Sequence, residues 1–314
     1  MALTILEFAK TQNDLLTRGF VEVLSRKSPI LQYLPFQSIN ASAISFNREA
    51  TLPDVQYRAV NEDWDESSGT LDKITESLSL FGGVVDTDVF FSKVGQDIND
   101  VRAMQSSMKA KSMALDFNDG FVKGDVSSAP KSWDGLQSRI GTGQQLLENG
   151  TTNGGDALSL TNLTTLIDMV VDSDPDLLIM NKTMARRLSV AARLNTVGGW
   201  VTFTIDEFGR RVQRFDEIPL GIMRTDAAGD DILAFDEVGG GGATATATSI
   251  YAVKFGMEYC HGIQASPIQV EDLGRYSGGN KYRTAVEWYV NGCVVGNPTS
   301  IARLRGISDA AVVA

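Results

Sequence analysis

One stretch constrains the fold of this 314-residue chain more than any other: Asp97 to Lys123, DINDVRAMQSSMKAKSMALDFNDGFVK. It holds no proline, and its only glycine, Gly120, sits near the far end. Ile98, Val101, Met104, Met108 and Leu115 recur at helical spacing and predict one apolar side. A second row, Ala110, Ala114, Phe117 and Phe121, widens that face toward the C-terminal end. Arg102, Lys109, Lys111 and Asp116 take the wetter side. Asp97 or Asn99 supplies a cap, and Gly124 a stop. At ~1.5 Å per residue the rod is roughly 40 Å long, against a usual helix of ~12 residues. Its length suggests a strut for the rest of the chain rather than one core helix among several.

The composition is that of an ordinary soluble globular protein, 43% hydrophobic and 21% charged. A formal net charge of −11 excludes broad phosphate neutralisation as a way of holding nucleic acid and leaves only local basic patches for that task. Two cysteines, Cys260 and Cys293, make no disulfide framework, which points to a reducing compartment. The N-terminus MALTILEFAKTQND lacks the basic start and long apolar block of a signal peptide. No apolar run approaches the ~20 residues of a membrane span.

Residues 3–27 read as an amphipathic helix with Leu6, Ala9, Leu16, Phe20 and Val23 near one face, ended by Ser28-Pro29. This arm packs either on its own domain or on a neighbour. From Ser42 to Leu80 the texture is strand: Ile44, Phe46 and Arg48 alternate with polar positions, as do Val55, Tyr57 and Ala59. Between the strands lies an acidic, turn-forming tip, Asn61 to Gly69. Half of such a hairpin is ~18 residues and reaches roughly 60 Å, while a chain of this length has a radius of gyration of only ~20 Å. Since a two-stranded ribbon is marginal alone in water, it either folds back on the core as a meander or is held by another subunit.

Val84 to Val94 continues as strand into the long helix. A second region opens near Leu158, with a helix at Leu160–Val170, a buried strand Pro175–Met180, and a helix from Asn181 to Leu194 bearing Arg186, Arg187 and Arg193. Strands follow at Val201–Ile205, Arg211–Phe215, Ile218–Met223 and Ser249–Phe255. Tyr282 to Leu304 is predicted to return to the first region's sheet.

No catalytic constellation emerges. His261 is the only histidine, and no nucleophile turn surrounds it. Cys260 and His261 are adjacent, so on a strand they point to opposite faces and do not converge on a metal. Gly239 to Gly242 lacks the Lys-Ser/Thr of a phosphate loop. Glu62, Asp63, Asp65 and Glu66 have no cation-loop spacing. Neither an enzyme, a cofactor nor a metal is expected.

The order of parts is more telling. An arm helix leads to a long hairpin with the tip Ala59-Val60-Asn61-Glu62, then a return strand ending Phe90-Phe91-Ser92-Lys93. The long helix ends Phe121-Val122-Lys123-Gly124-Asp125, and Trp133-Asp134-Gly135-Leu136, Leu178-Ile179-Met180-Asn181-Lys182-Thr183 and a β-rich C-terminus follow. This set resembles the major capsid proteins of tailed bacteriophages with the HK97 fold. Phe46-Asn47-Arg48-Glu49, Asp206-Glu207-Phe208-Gly209-Arg210 and Tyr282-Arg283-Thr284 look like one branch of that family. The resemblance covers nearly the whole chain and rests on no single motif.

The resemblance implies an α+β fold with an N-terminal arm (1–41), an extended E-loop hairpin (42–80) and a P-domain (81–149) with its spine helix at 97–123. An A-domain (150–265) and a return to the P-domain with the C-terminus (266–314) complete it. It implies a self-assembling icosahedral shell of pentamers and hexamers that encloses double-stranded DNA without sequence-specific binding. A portal and a separate scaffolding or decoration protein are its expected partners, with no membrane. Assembly is expected in the bacterial host's cytoplasm and residence in the virion capsid. An encapsulin-type compartment enclosing a cargo enzyme is the alternative. The charges suggest how neighbours are fastened. Residues 53–76 carry a net of −5, and residues 275–305 a net of +4. The tip, Glu62, Asp63, Trp64, Asp65 and Glu66, is therefore expected to dock on a neighbour's Arg275, Lys281, Arg283, Arg303 and Arg305.

Overall fold

The computed structural model describes residues 15–94, 101–148, 153–193, 201–205, 211–242 and 244–313. The long helix runs Val101–Lys123; its expected start and Ile98 lie outside the described residues. It buries Ala110, Met113, Ala114, Phe117, Asn118, Phe121 and Val122. That is the second of the two apolar rows. The row through Met104 and Met108 is not the buried one: these side chains are 49% and 54% exposed. Both rows satisfy helical periodicity, and the sheet takes the one whose two phenylalanines remove the larger apolar area from water. The helix ends where expected, at Gly124, whose N–H bonds the Gly120 carbonyl at 3.1 Å. A Cβ on Gly124 would lie 2.4 Å from the Trp133 carbonyl oxygen, so only glycine lets the segment around Trp133 close over the helix end.

Beneath the helix lies a five-stranded sheet. Its strands are β1 (Phe36–Ser38), β4 (Ser79–Asp88), β12 (Cys260–Gln264), β13 (Gln269–Arg275) and β14 (Lys281–Val295). The 15 residues of β14 form its axis: β4 pairs along Lys281 to Val290, β13 along Tyr282 to Glu287, and β12 along Val290 to Val295. Val286, Trp288 and Val290 are buried in one core with Phe117 and Phe121, as the sequence pattern requires. Trp288 stacks on Phe117 at 5.5 Å and meets Phe36 at 5.4 Å. The arm helix, described from Leu15 to Lys27, buries Phe20, Val21 and Leu24 in this core, so the arm packs on its own chain here.

The second sheet has eight strands, β5 (Gln145–Leu147), β6 (Leu177–Asn181), β7 (Val201–Ile205), β8 (Arg211–Phe215), β9 (Ile218–Met223), β10 (Glu237–Val238), β11 (Ala245–Val253) and β15 (Ile301–Ile307). Helices Leu160–Asp168 and Lys182–Arg193 share its core through Leu163, Leu166, Met184 and Leu188, which lie with Leu178, Met180 and Leu220. The alternate residues Leu177, Ile179, Tyr251 and Val253 belong to the core of the long helix, which joins the two sheets.

Three boundary expectations change. β12 lies within 150–265 but belongs to the five-stranded sheet, and β5 precedes residue 150 but belongs to the eight-stranded one. Residues 301–304 do not return to the first sheet, because β15 lies between β5 and β11. The chain turns between them at Pro298–Ser300, where the Asn297 side chain accepts from the Thr299 N–H at 3.0 Å.

The hairpin β2 (Ala43–Thr51) and β3 (Thr70–Ser77) forms a two-stranded sheet of its own. Every residue from 49 to 73 is exposed, so the ribbon projects and the folded-back meander is excluded. Among the described residues no helix is long and apolar enough to cross a membrane.

Candidate functional site

The ribbon is fixed at its base and presents its tip. At the base, Arg139 makes two hydrogen bonds to the Glu76 carboxylate, at 2.5 and 2.7 Å, and Asn291 donates a third at 3.1 Å. Cross-strand hydroxyl pairs, Ser45 with Thr75 at 2.9 Å and Thr51 with Thr70 at 2.6 Å, continue along the strands. At the tip, Asn61 takes φ = 71°, a conformation that asparagine tolerates better than most residues. The Ala59 N–H donates to the Glu62 carboxylate at 2.8 Å, and Arg58 donates to the Glu62 carbonyl at 2.9 Å. The Arg58 guanidinium lies 5.4 Å from the Trp64 ring.

This order leaves a row of apolar side chains uncovered: Leu52, Val55, Tyr57, Val60 and Trp64, the last 63% exposed. So many large apolar groups on one projecting ribbon mark an interaction surface. Beside them Glu62, Asp63, Asp65 and Glu66 are exposed and make no ion pair among the described residues. Asp54 and Asp72 are exposed as well, whereas Glu76, counted with them in the sequence, belongs to the base.

The five basic residues do not form one surface. Arg275, Lys281 and Arg283 gather at the β13–β14 turn. There Lys281 pairs with Asp86 at 2.9 Å and Arg283 at 2.8 Å, and Arg283 also lies 4.0 Å from the Tyr276 ring. Their hydrogen bonds, Arg283 first and Lys281 second, hold the Asp86 carboxyl well below the usual range. Arg275 donates to Asn280 at 2.7 Å. Arg303 lies in the other sheet, buried, 2.8 Å from Glu237 and 5.5 Å from the Tyr251 ring. Arg305, also on β15, is exposed. Sequence reasoning does not single out Asp86 or Arg139; their roles depend on the β4–β14 register and on a contact across 63 residues, and neither leaves a local signal.

His261 is buried, its Nδ1 has no partner among the described residues, and burial pushes its pKa down. Cys260 and His261 are both buried, since both faces of β12 are covered. Among the described residues no group of three His, Cys, Asp or Glu side chains is arranged to hold a metal.

The family described as major capsid protein GP7 matches residues 13–167, just under half of the chain. No curated protein matches. Solved structures with this architecture include the holo-SrpI encapsulin complex of Synechococcus elongatus PCC 7942, at a TM-score of 0.63 and 14% identity over 90% of this chain and 89% of that one. A structure from Mycobacterium phage Bobi aligns at 0.57 and 14% identity over 88% and 89%. The capsid of Myoviridae phage XM1 aligns at 0.52 and 14% identity over 87% and 90%. At these identities the structural likeness shows the fold, an HK97-like capsid fold, and the family match over residues 13–167 supports a capsid shell role.

Proposed function

We propose that this chain is the main subunit of an icosahedral shell of pentamers and hexamers enclosing double-stranded DNA, assembled in a bacterial host's cytoplasm and without catalytic activity. The observation that carries the reading is the ribbon, whose apolar row has no cover from its own subunit. Laid on a neighbour, that row is removed from water at roughly 25 cal/mol per Å², and a closed lattice multiplies modest contacts into a stable shell. The ribbon then serves as the E-loop, residues 97–123 as the P-domain spine and most of 150–265 as the A-domain. A portal, and a separate scaffolding or decoration protein, complete the particle.

The likeness to an encapsulin complex favours a second reading, a compartment around a protein cargo. The test is to purify particles and analyse what they hold. Nuclease-protected double-stranded DNA is the expected content. A stoichiometric protein cargo without DNA overturns the DNA reading in favour of the second, and a subunit that stays monomeric with or without its partners overturns both.

A further inference from the structure

The helix Lys182–Arg193 carries four basic residues and no acidic one, in a chain whose net charge is −11. Met184, Ala185, Leu188 and Ala191 are buried on its inner side. Arg187 is engaged by Asp309 at 2.8 Å. Lys182, Arg186 and Arg193 are exposed and make no hydrogen bond or ion pair among the described residues. Their spacing places all three within roughly 40° of one another around the helix, along a line of roughly 16 Å. The helix start is closed by Asn181, whose side chain accepts from the Met184 N–H at 2.7 Å, so the row sits on an ordered element.

We infer that this face contacts the phosphate backbone of the enclosed nucleic acid. The inference rests on the DNA-shell reading above. Three exposed cations in a line match a polyanion read without regard to sequence. A protein interface needs an apolar centre, and this face offers only Val190. The acidic ribbon tip of a second copy is the competing occupant. That tip carries Tyr57, Val60 and Trp64 beside its carboxylates and would leave them unmatched here.

The test measures binding of the full-length soluble subunit to a short DNA duplex by fluorescence anisotropy over a series of salt concentrations. The variant Lys182→Gln/Arg186→Gln/Arg193→Gln is compared with Lys27→Gln/Lys111→Gln/Lys131→Gln, the same charge change at other exposed positions. The first is expected to flatten the slope of log affinity against log salt by about 2.7, at about 0.9 for each phosphate no longer neutralised, while the second leaves it near the parent value. Equal losses in both variants, or none in either, overturn the inference. An unchanged DNA slope with weakened subunit self-association assigns the face to a second copy and also overturns it. Arg186→Gln alone, expected to lower the slope by about 0.9, keeps the test decisive if the triple variant melts early. Particle contents report on the DNA-shell reading and the salt slope on the helix, so either can fail alone.

Discussion

Arg139 grips Glu76 with both arms of its guanidinium, at 2.5 and 2.7 Å, at the point where the ribbon leaves the body of the subunit. Both side chains are largely withdrawn from water. Asn291 uses the same carboxylate, so one polar knot ties β3, the Leu136–Arg139 helix and β14 together. Removing one member of such a pair leaves the other charge buried and costs ~3–5 kcal/mol. Arg139→Met is therefore expected to destabilise the subunit by that amount in denaturant unfolding. Glu76→Leu/Arg139→Met, which removes both charges, should recover part of it. A double variant as unstable as the sum of the singles would show that the two are not coupled.

The apolar face of the long helix makes a second prediction. Phe117 is stacked on Trp288 and fully buried, and a Cβ on Gly292 would lie 2.9 Å from the Phe117 ring. Phe117→Ala should cost ~3–5 kcal/mol, and Gly292→Ala should also destabilise by overpacking. Met104→Ala should stay within ~0.5 kcal/mol. Thermal melting of the three variants ranks them; equal effects would contradict the assigned face.

How much of this was legible in the sequence follows from how local each cause is. The long helix, the ribbon and the buried strand Leu177–Asn181 are written in periodicity and apolar runs, and all three are present. Which of two apolar rows faces the sheet was not, because Met104 and Phe117 satisfy the same spacing and only the sheet chooses. The exit of β15 into the second sheet was not legible either, since the turn at Asn297-Pro298 looks like an interruption within one β-rich stretch. Net charge over 275–305 misleads for a related reason. It sums Arg303, neutralised by Glu237 inside one sheet, with Lys281 and Arg283, already held by Asp86 in another.

Two aspartates should move stability with pH in opposite directions. The Asp86 pKa is depressed in the fold by Arg283 and then Lys281, so its contribution is present above the unfolded value of about 3.9 and is lost as pH falls through the lower folded value. Asp86→Asn should remove that part of the acid limb of a plot of Tm against pH. Burial raises the pKa of Asp119, with Lys123 partly opposing it. Its contribution is therefore present below the unfolded value and lost as pH rises through the folded one. Asp119→Asn should accordingly raise Tm at neutral pH. Reversed signs in the two melting series would contradict these environments.

The fastening of neighbours can be decided on a gel. Some capsids of the family that this chain resembles join E-loops by a lysine–asparagine isopeptide bond, yet no lysine occurs between Lys27 and Lys73, so the tip has no donor. Its resources are instead the exposed Trp64, the apolar row beside it and four exposed carboxylates. Exposed ion pairs contribute ~0–1 kcal/mol each and weaken with salt, so the apolar row must supply most of the holding free energy. Trp64→Ala should leave the melting of the isolated subunit unchanged, because the ring is exposed there, while lowering the yield of particles. Glu62→Gln/Asp63→Asn/Asp65→Asn/Glu66→Gln should chiefly reduce the salt sensitivity of assembly. Mature particles should run as a single monomer band on a denaturing gel. Ladders of covalently joined subunits would refute the non-covalent clasp, and assembly indifferent to both variants would place the contact elsewhere on the chain.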